Sequence, residues 1–280
     1  MKSLLQVLPR LKILAWPPKC ASKACRRSVL LTAMHGRTAG ISVQDQWFCG
    51  PDCFENALSE TLAGIDLFAA REPAVQRNRL PLGLTLLSCG HISADQLRTA
   101  LDQHRASGVR FGDILLHLGF ATEEQLTAAL ALQWGHPVFP LRGTATETAV
   151  CIPTRLLELN HMLPVYYAER SKRLLVGFAE GVHYRTLDAL ADVLSCNPSP
   201  CIIASSEYRK RLEAVAAQNR GQEVSFAGKS CPSEMARIVR NYAVKLNAAR
   251  LRFTTCRDHL WLRLSGRKRE LDILFRLAHE

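Results

Sequence analysis

Two close cysteine pairs, Cys20-x4-Cys25 and Cys49-x3-Cys53, are the first residues of this chain whose type and spacing can do chemistry. Thiolates are soft ligands, and two short loops that each present two of them match a tetrahedral four-sulfur zinc site. The pairs stand 23 residues apart, and Trp47-Phe48 leads directly into the second. Spacings of four and three are looser than two-residue knuckles, so free thiols or disulfides are the alternative reading. A second candidate is Arg110, two residues before Gly112. A cation beside the start of a helix, with a glycine that permits close backbone approach, suits a phosphate. The alternative there is a solvated surface charge. The other cysteines, Cys89, Cys151, Cys196, Cys201, Cys231 and Cys256, are scattered and read mostly as small buried residues.

Each candidate needs elements to position it. Gly40 to Gln44 reads as a strand ahead of Cys49, and Asp52 to Leu62 as a helix carrying Cys53 near its start. Arg110 opens the second copy of an internal repeat spaced by 29 residues, Pro81 to His104 and Arg110 to Gln133. In each copy a short apolar segment ends at a glycine, Gly90 or Gly119, the residue that enters a left-handed C-terminal turn without a Cβ penalty. Ser93-Ala-Asp-Gln96 and Thr122-Glu-Glu-Gln125 then match the capping box that opens a second helix. On that helix Leu126, Ala129, Leu130 and Gln133 fall on one face, as do Leu97, Ala100, Leu101 and His104. An amide or an imidazole thus ends each apolar stripe. Two packed helical hairpins with a satisfied core Gln133 are the bland reading of this pattern.

The two copies resemble the tandem 24-residue motif, arginine-leucine-glycine at its start and glutamine at its end, of the N-terminal regulatory domain of type II secretion and type IV pilus assembly ATPases. In the MshE-type branch of that family the motif binds cyclic di-GMP. The resemblance implies cyclic-dinucleotide contacts at Arg110, Phe111, Gly112, Leu115, Gly119, Leu126, Leu130 and Gln133 in the second copy. In the first copy it implies Leu82, Gly83, Leu86, Gly90, Leu97, Leu101 and His104. Phe111 stands where leucine is usual, Pro81 replaces the arginine and His104 the glutamine, which removes one cation and one amide from the expected site. The implied partner is a secretion or pilus machine, and the implied location is the cytoplasm or, through a partner, the inner membrane surface.

The resemblance extends downstream. Ile152-Pro153 opens a helix, Met162-Leu-Pro164-Val165 follows, Leu174 to Phe178 reads as a strand, Tyr184 to Leu194 as a helix, and the run Pro200 to Ser205 completes the pattern before a helix near Glu207 to Gln218. Ala179-Glu-Gly181-Val182 replaces the alanine-methionine-acid-proline turn usual after the central strand. Met235, Ile238, Val239, Tyr242, Ala243 and Leu246 have helical spacing, and Leu251 to Thr254 and His259 to Leu264 alternate as strands. This resembles the opening of the second N-terminal domain of the same ATPases, with Arg250-Leu-Arg252-Phe253 in place of an acid-isoleucine-histidine cluster.

The expected fold class is α+β: a helical tandem-repeat subdomain, a small α/β subdomain, an N-terminal zinc-ribbon-like segment and a C-terminal helix plus β-hairpin. The expected boundaries are an amphipathic or disordered start at 1–18, the four-cysteine segment at 19–62 and the secretion-ATPase-like domain at 63–217. Within that domain the repeats span 81–133 and the α/β part 138–217. A linker at 218–232 and the helix-hairpin unit at 233–280 complete the chain.

Catalysis is not expected. Gly228-Lys229-Ser230 resembles the tail of a phosphate-binding loop, but Glu223 occupies the place of the required earlier glycine and Pro232 follows closely. No nucleophile-base-acid or metalloprotease pattern is recognisable. With 280 residues and 48% hydrophobic composition the chain can bury a real core. Its net charge of +11 is concentrated late: from Glu207 onward there are 16 Lys or Arg against 8 Asp or Glu, including Arg267-Lys-Arg269. A basic face of this kind defines the alternative reading, a zinc-containing nucleic-acid-binding protein that uses the repeat as scaffold. The apolar start is interrupted by Pro9-Arg10 and Lys12, so no transmembrane segment is expected. Ten cysteines with no secretory signal point to a reducing compartment.

Overall fold

The computed structural model describes residues 19–23, 25, 40–65, 79–141, 150–219, 221–228, 231–267 and 269–277. The start at 1–18 and Lys229-Ser230 lie outside the described residues. Among them are nine helices and two sheets, a mixed α and β structure. The chain divides into two compact units, one from 1–68, 224–253 and 260–280, the other from 69–223 with 254–259.

The first unit contains β1 (Ile41–Val43), β2 (Gln46–Phe48), α1 (Pro51–Gly64), β6 (Glu223–Phe226), α9 (Pro232–Leu246), β7 (Arg250–Cys256), β8 (His259–Ser265) and β9 (Glu270–Arg276). The strands form a six-stranded sheet in the order β2-β1-β7-β8-β9-β6. Both helices begin with proline, whose fixed φ suits the first helical position. Phe54, Leu58 and Leu62 of α1 and Met235, Ala236, Val239 and Ala243 of α9 are buried in one core with Leu260, Leu262, Leu264, Ile273 and Phe275 of the sheet. Their spacing is one helical stripe against one sheet face.

Strand β8 is buried at six successive positions, so its alternate residues Trp261 and Arg263 are buried too. There Asp272 of β9 accepts hydrogen bonds from Trp261 Nε1 at 2.8 Å, Arg263 Nε at 2.8 Å and Arg263 Nη2 at 2.7 Å. Strand β6 falls within the segment expected as a linker. Phe226 stacks on Phe275 with ring centroids 5.0 Å apart, which ties this short edge strand to the core.

The β1–β2 hairpin is unusual for its size. Its two turn residues, Gln44 and Asp45, have φ of 44° and 67°. The tight turn that matches strand twist needs positive φ at both positions and favours glycine or asparagine. Left-handed backbone costs an ordinary residue roughly 1–2 kcal/mol. The Gln44 side chain offsets part of this by donating to the Phe253 carbonyl at 2.7 Å. Gly40 is required, since a Cβ there would lie 2.1 Å from the Phe48 carbonyl oxygen.

The second unit begins with the repeat: α2 (Leu82–Ser88), α3 (Ala94–Ser107), α4 (Phe111–His117) and α5 (Glu123–Trp134). Both capping boxes form, with Gln96 N bonded to Ser93 Oγ and Gln125 N to Thr122 Oγ1, each at 3.2 Å. The return bonds from the Ser93 and Thr122 amides to the glutamine side chains are both 2.8 Å. Gly90 and Gly119 take φ of 70° and 66° at equivalent turns. The helices pack across copies, α2 with α5 and α3 with α4. Leu86, Ile92 and Ala100 of the first copy therefore share one core with Ile114, Leu115, Ala121, Leu126 and Ala129 of the second.

The rest of this unit is α6 (Thr154–Leu159), β3 (Met162–Ala168), β4 (Arg173–Phe178), α7 (Tyr184–Leu194), β5 (Asn197–Ile202) and α8 (Ser205–Asn219). Strand β4 pairs antiparallel with β3 and parallel with β5, the latter joined through α7 as a parallel crossover demands. The Glu123 carboxylate of the repeat accepts from Ser206 N at 2.7 Å and from Ser206 Oγ at 2.5 Å. It thereby caps α8, whose first amides have no partner within the helix. Glu123→Ala is expected to lower stability by about 1 kcal/mol, the usual scale for a lost cap, measured as a drop in the urea midpoint at unchanged slope.

Candidate functional site

The second copy of the repeat borders a cavity of about 250 Å³ within the second unit. Its walls come from Arg110, Phe111, Gly112, Asp113 and Leu116 at α4, from Glu123, Leu126, Thr127 and Leu130 on α5, and from Leu82 of the first copy. Ala179, Glu180 and Ser205 close the far side. These last follow the carboxyl ends of the parallel strands β4 and β5, where open α/β sheets form crevices. Ser205 Oγ donates to the Ala179 carbonyl at 3.3 Å and holds the two strand ends together.

The expected nucleotide residues divide into three groups. Arg110, Phe111, Gly112, Leu126, Leu130 and Leu82 line the cavity. Leu86 and Leu115 are fully buried, and Leu97 and Leu101 are half-buried. In this same second group, which serves the fold, Gly90 and Gly119 make the turns. The third group is the pair that ends the stripes: Gln133 Nε2 donates to the Leu80 carbonyl at 2.8 Å, and His104 Nδ1 lies 2.6 Å from the Val109 carbonyl oxygen. Leu80 and Val109 each immediately precede the start of a copy. Each copy therefore closes the other, and histidine does the work of glutamine in the first.

The glycines separate the copies further. A Cβ on Gly83 would meet Leu97 Cδ1 at 2.6 Å and Phe111 Cζ at 3.1 Å, so that glycine is filled in by packing. At Gly112 nothing lies within 4 Å of such a Cβ. The backbone of the second copy is open to the cavity, and that of the first is closed.

Arg110 is paired with Glu180, whose Oε1 also lies 3.0 Å from His161 Nδ1. Burial, and then the cations Arg110 and Arg257 with His183, hold His161 below the usual histidine range. Because a carboxylate only accepts, it is His161 Nδ1–H that donates in this pair. Helix α4 has seven residues, so the guanidinium and the open glycine, rather than a helix dipole, give the site its character. Asp113, Glu123 and Glu180 add carboxylates to the wall, which the repeat pattern did not single out. Glu180 was visible only as a departure from the usual turn after the central strand.

The second candidate lies in the first unit. The Sγ atoms of Cys20, Cys25, Cys49 and Cys53 all lie within 4.8 Å of one another and can surround a metal ion. Cys25 and Cys49 sulfurs are 3.5 Å apart, Cys49 and Cys53 sulfurs 3.9 Å. Cys49 follows β2 directly, and Cys53 sits in the first turn of α1, as the spacing implied. Burial first, and then the neighbouring thiols, push the Cys49 thiol strongly upward, and burial likewise raises Cys53. Elsewhere Cys196, Cys201 and Cys256 are buried, whereas Cys89 and Cys231 are exposed.

The second unit is thus a tandem of cross-packed helical hairpins with a three-stranded lobe and a cavity at the second copy, and no described helix is long and apolar enough to cross a membrane. Over about half its length the chain is similar to the N-terminal domains of type II secretion and type IV pilus ATPases. It is 27% identical over 139 residues to the type IV pilus assembly ATPase PilB of Myxococcus xanthus, covering 49% of this chain and 24% of that protein. It is 31% identical over 155 residues to bacteriophage adsorption protein B of Escherichia coli K12, covering 52% of this chain and 20% of that protein. The chain thus spans about a quarter or less of the length of these relatives. Among solved structures, MshE with cdg aligns at a TM-score of 0.42 and 24% identity, over 49% of this chain and 99% of that one. The N-terminal domain of XpsE aligns at 0.38 and 20%, over 47% and 91%. No protein-family model matches the sequence.

Proposed function

We propose that this chain is a non-catalytic regulatory module that binds cyclic di-GMP at the second copy of its repeat and passes that state to a secretion or pilus machine. The observation that carries the reading is the inequality of the two glycines: Gly112 opens onto a cavity beside Arg110, and Gly83 does not. A phosphodiester needs a cation and close backbone approach, which Arg110 and Gly112 supply together. Guanine presents N–H donors on its Watson–Crick edge, and the carboxylates of Asp113 and Glu180 are acceptors in the lining of the cavity. The similarity to the type IV pilus assembly ATPase PilB supports a pilus or secretion setting. Pockets that bury drug-sized ligands run to about 300–1,000 Å³, so a dinucleotide here leaves part of itself outside the cavity. With one open copy the expected stoichiometry is one ligand per chain.

Isothermal calorimetry with cyclic di-GMP tests this. Wild type should give saturable heat, and Arg110→Ala should weaken binding at least tenfold, about 1.4 kcal/mol, the scale of a lost charged hydrogen bond. No heat with wild type removes the nucleotide. Steeply salt-dependent binding to unrelated DNA would instead favour the nucleic-acid reading of the basic region. Several of those cations are engaged within the chain, Arg240 with Asp52 and Glu55, Arg252 with Asp45, and Arg263 with Asp272, as Arg110 is with Glu180, so the salt dependence of binding is what separates the two readings.

A further inference from the structure

We propose that Cys20, Cys25, Cys49 and Cys53 bind one zinc ion whose task is to hold the β1–β2 hairpin on the edge of the six-stranded sheet. The site is independent of the nucleotide reading. Four thiolates at about 2.3 Å from a tetrahedral zinc stand about 3.8 Å from one another, and the sulfurs here, 3.5 and 3.9 Å apart for two pairs and all within 4.8 Å, already approach that arrangement. Cys20 and Cys49 are buried and Cys25 and Cys53 half-buried. Four sulfurs fill a tetrahedron, so the ion has no open position for substrate and the site is structural.

The hairpin supplies the second line of argument. It has three residues in each strand and meets the sheet through two parallel register pairs, Ser42 with Arg250 and Val43 with Leu251. A two-stranded ribbon of that length is not stable by itself, and its turn uses two non-glycine residues at positive φ. In the segment from Lys19 to Cys25, Ala21, next to Cys20, donates from its backbone N–H to the Trp47 carbonyl of the hairpin at 2.8 Å. A metal joining this segment, the end of β2 and the first turn of α1 fixes all three at one point. Because a preformed four-thiolate site rarely exists in an unfolded chain, the free energy of zinc binding becomes folding free energy for this edge.

The test uses the full chain purified without chelator. Elemental analysis should give one zinc per chain, with the same equivalent released when the thiols are blocked. Cobalt(II) exchanged into the site should give the visible bands of a tetrahedral thiolate complex. Cys53→Ser should lose the metal, and hydrogen exchange at residues 41–48 should then speed up at least tenfold while the repeat at 81–133 keeps its protection. A folded metal-free protein, two disulfides by mass, or iron in place of zinc overturns the proposal. Metal that is present but whose removal leaves exchange at 41–48 unchanged overturns the structural task assigned to it.

Discussion

Asp272→Ala should unfold at a much lower denaturant concentration than the wild type, with a loss of about 3 kcal/mol. Asp272 is 3% exposed and receives both Arg263 and the Trp261 indole. Removing one partner of a buried pair strands the other, and such losses run to about 3–5 kcal/mol. The lower end applies because Glu270 remains 3.6 Å from the Arg263 guanidinium and is half in solvent. Replacing the pair together, Arg263→Met with Asp272→Leu, should recover most of the loss, since apolar residues of similar size leave no uncompensated charge. Urea unfolding of the three proteins checks this. Equal losses for the single and double variants would show that packing around Trp261, rather than the charge, carries the energy.

The second large effect divides stability from binding. Gly83→Ala should destabilise the protein, because its methyl would press on Leu97 and Phe111, and overpacking costs about 1–3 kcal/mol before the roughly 1 kcal/mol that alanine returns to a helix. Gly112→Ala meets nothing and should leave stability equal or raised by up to about 1 kcal/mol. The same methyl fills the place where a phosphate would approach the backbone, so cyclic di-GMP affinity should fall at least tenfold. Thermal melting and calorimetry on both variants read the two axes separately. Unchanged affinity in Gly112→Ala would move the ligand away from this cavity.

Much of the repeat was legible because its signals are local. A hydroxyl three residues before glutamine, and a glycine after a short apolar run, dictate caps and turns whatever the rest of the chain does. The helix at Tyr184 to Leu194 was placed by the resemblance, and the structure buries Leu187, Leu190 and Val193 along one stripe of it. Strand β9 was not legible, because its run of four buried positions contains Asp272, a carboxylate whose burial depends on bonds from Trp261 and Arg263 of another strand. Strand β6 hides in a polar stretch and gains its order from Phe226 against Phe275, a partner 49 residues away. Of the cavity, one wall could be read and the other could not. Arg110 and Gly112 share a motif, whereas Glu180 and Ser205 arrive from strand ends, and periodicity carries no record of which loops will meet. The paired stripe ends illustrate the same limit: Gln133 and His104 were readable as polar groups on apolar faces, but not as the bonds that join one copy to the other.

Those crossed bonds bear on how such a module can originate and vary. Two separate hairpins, each donating its terminal side chain to the other's opening carbonyl and sharing one core, would be an ordinary symmetric homodimer; the tandem makes the same exchange within one chain. A truncation between the copies should yield no half-sized ancestor that folds by itself, because each hairpin keeps its donor and loses its acceptor. Within one chain the two halves need not be identical: Arg110 and the open Gly112 stand at one end, Pro81 and the filled Gly83 at the other, an inequality that a homodimer encoded once cannot carry.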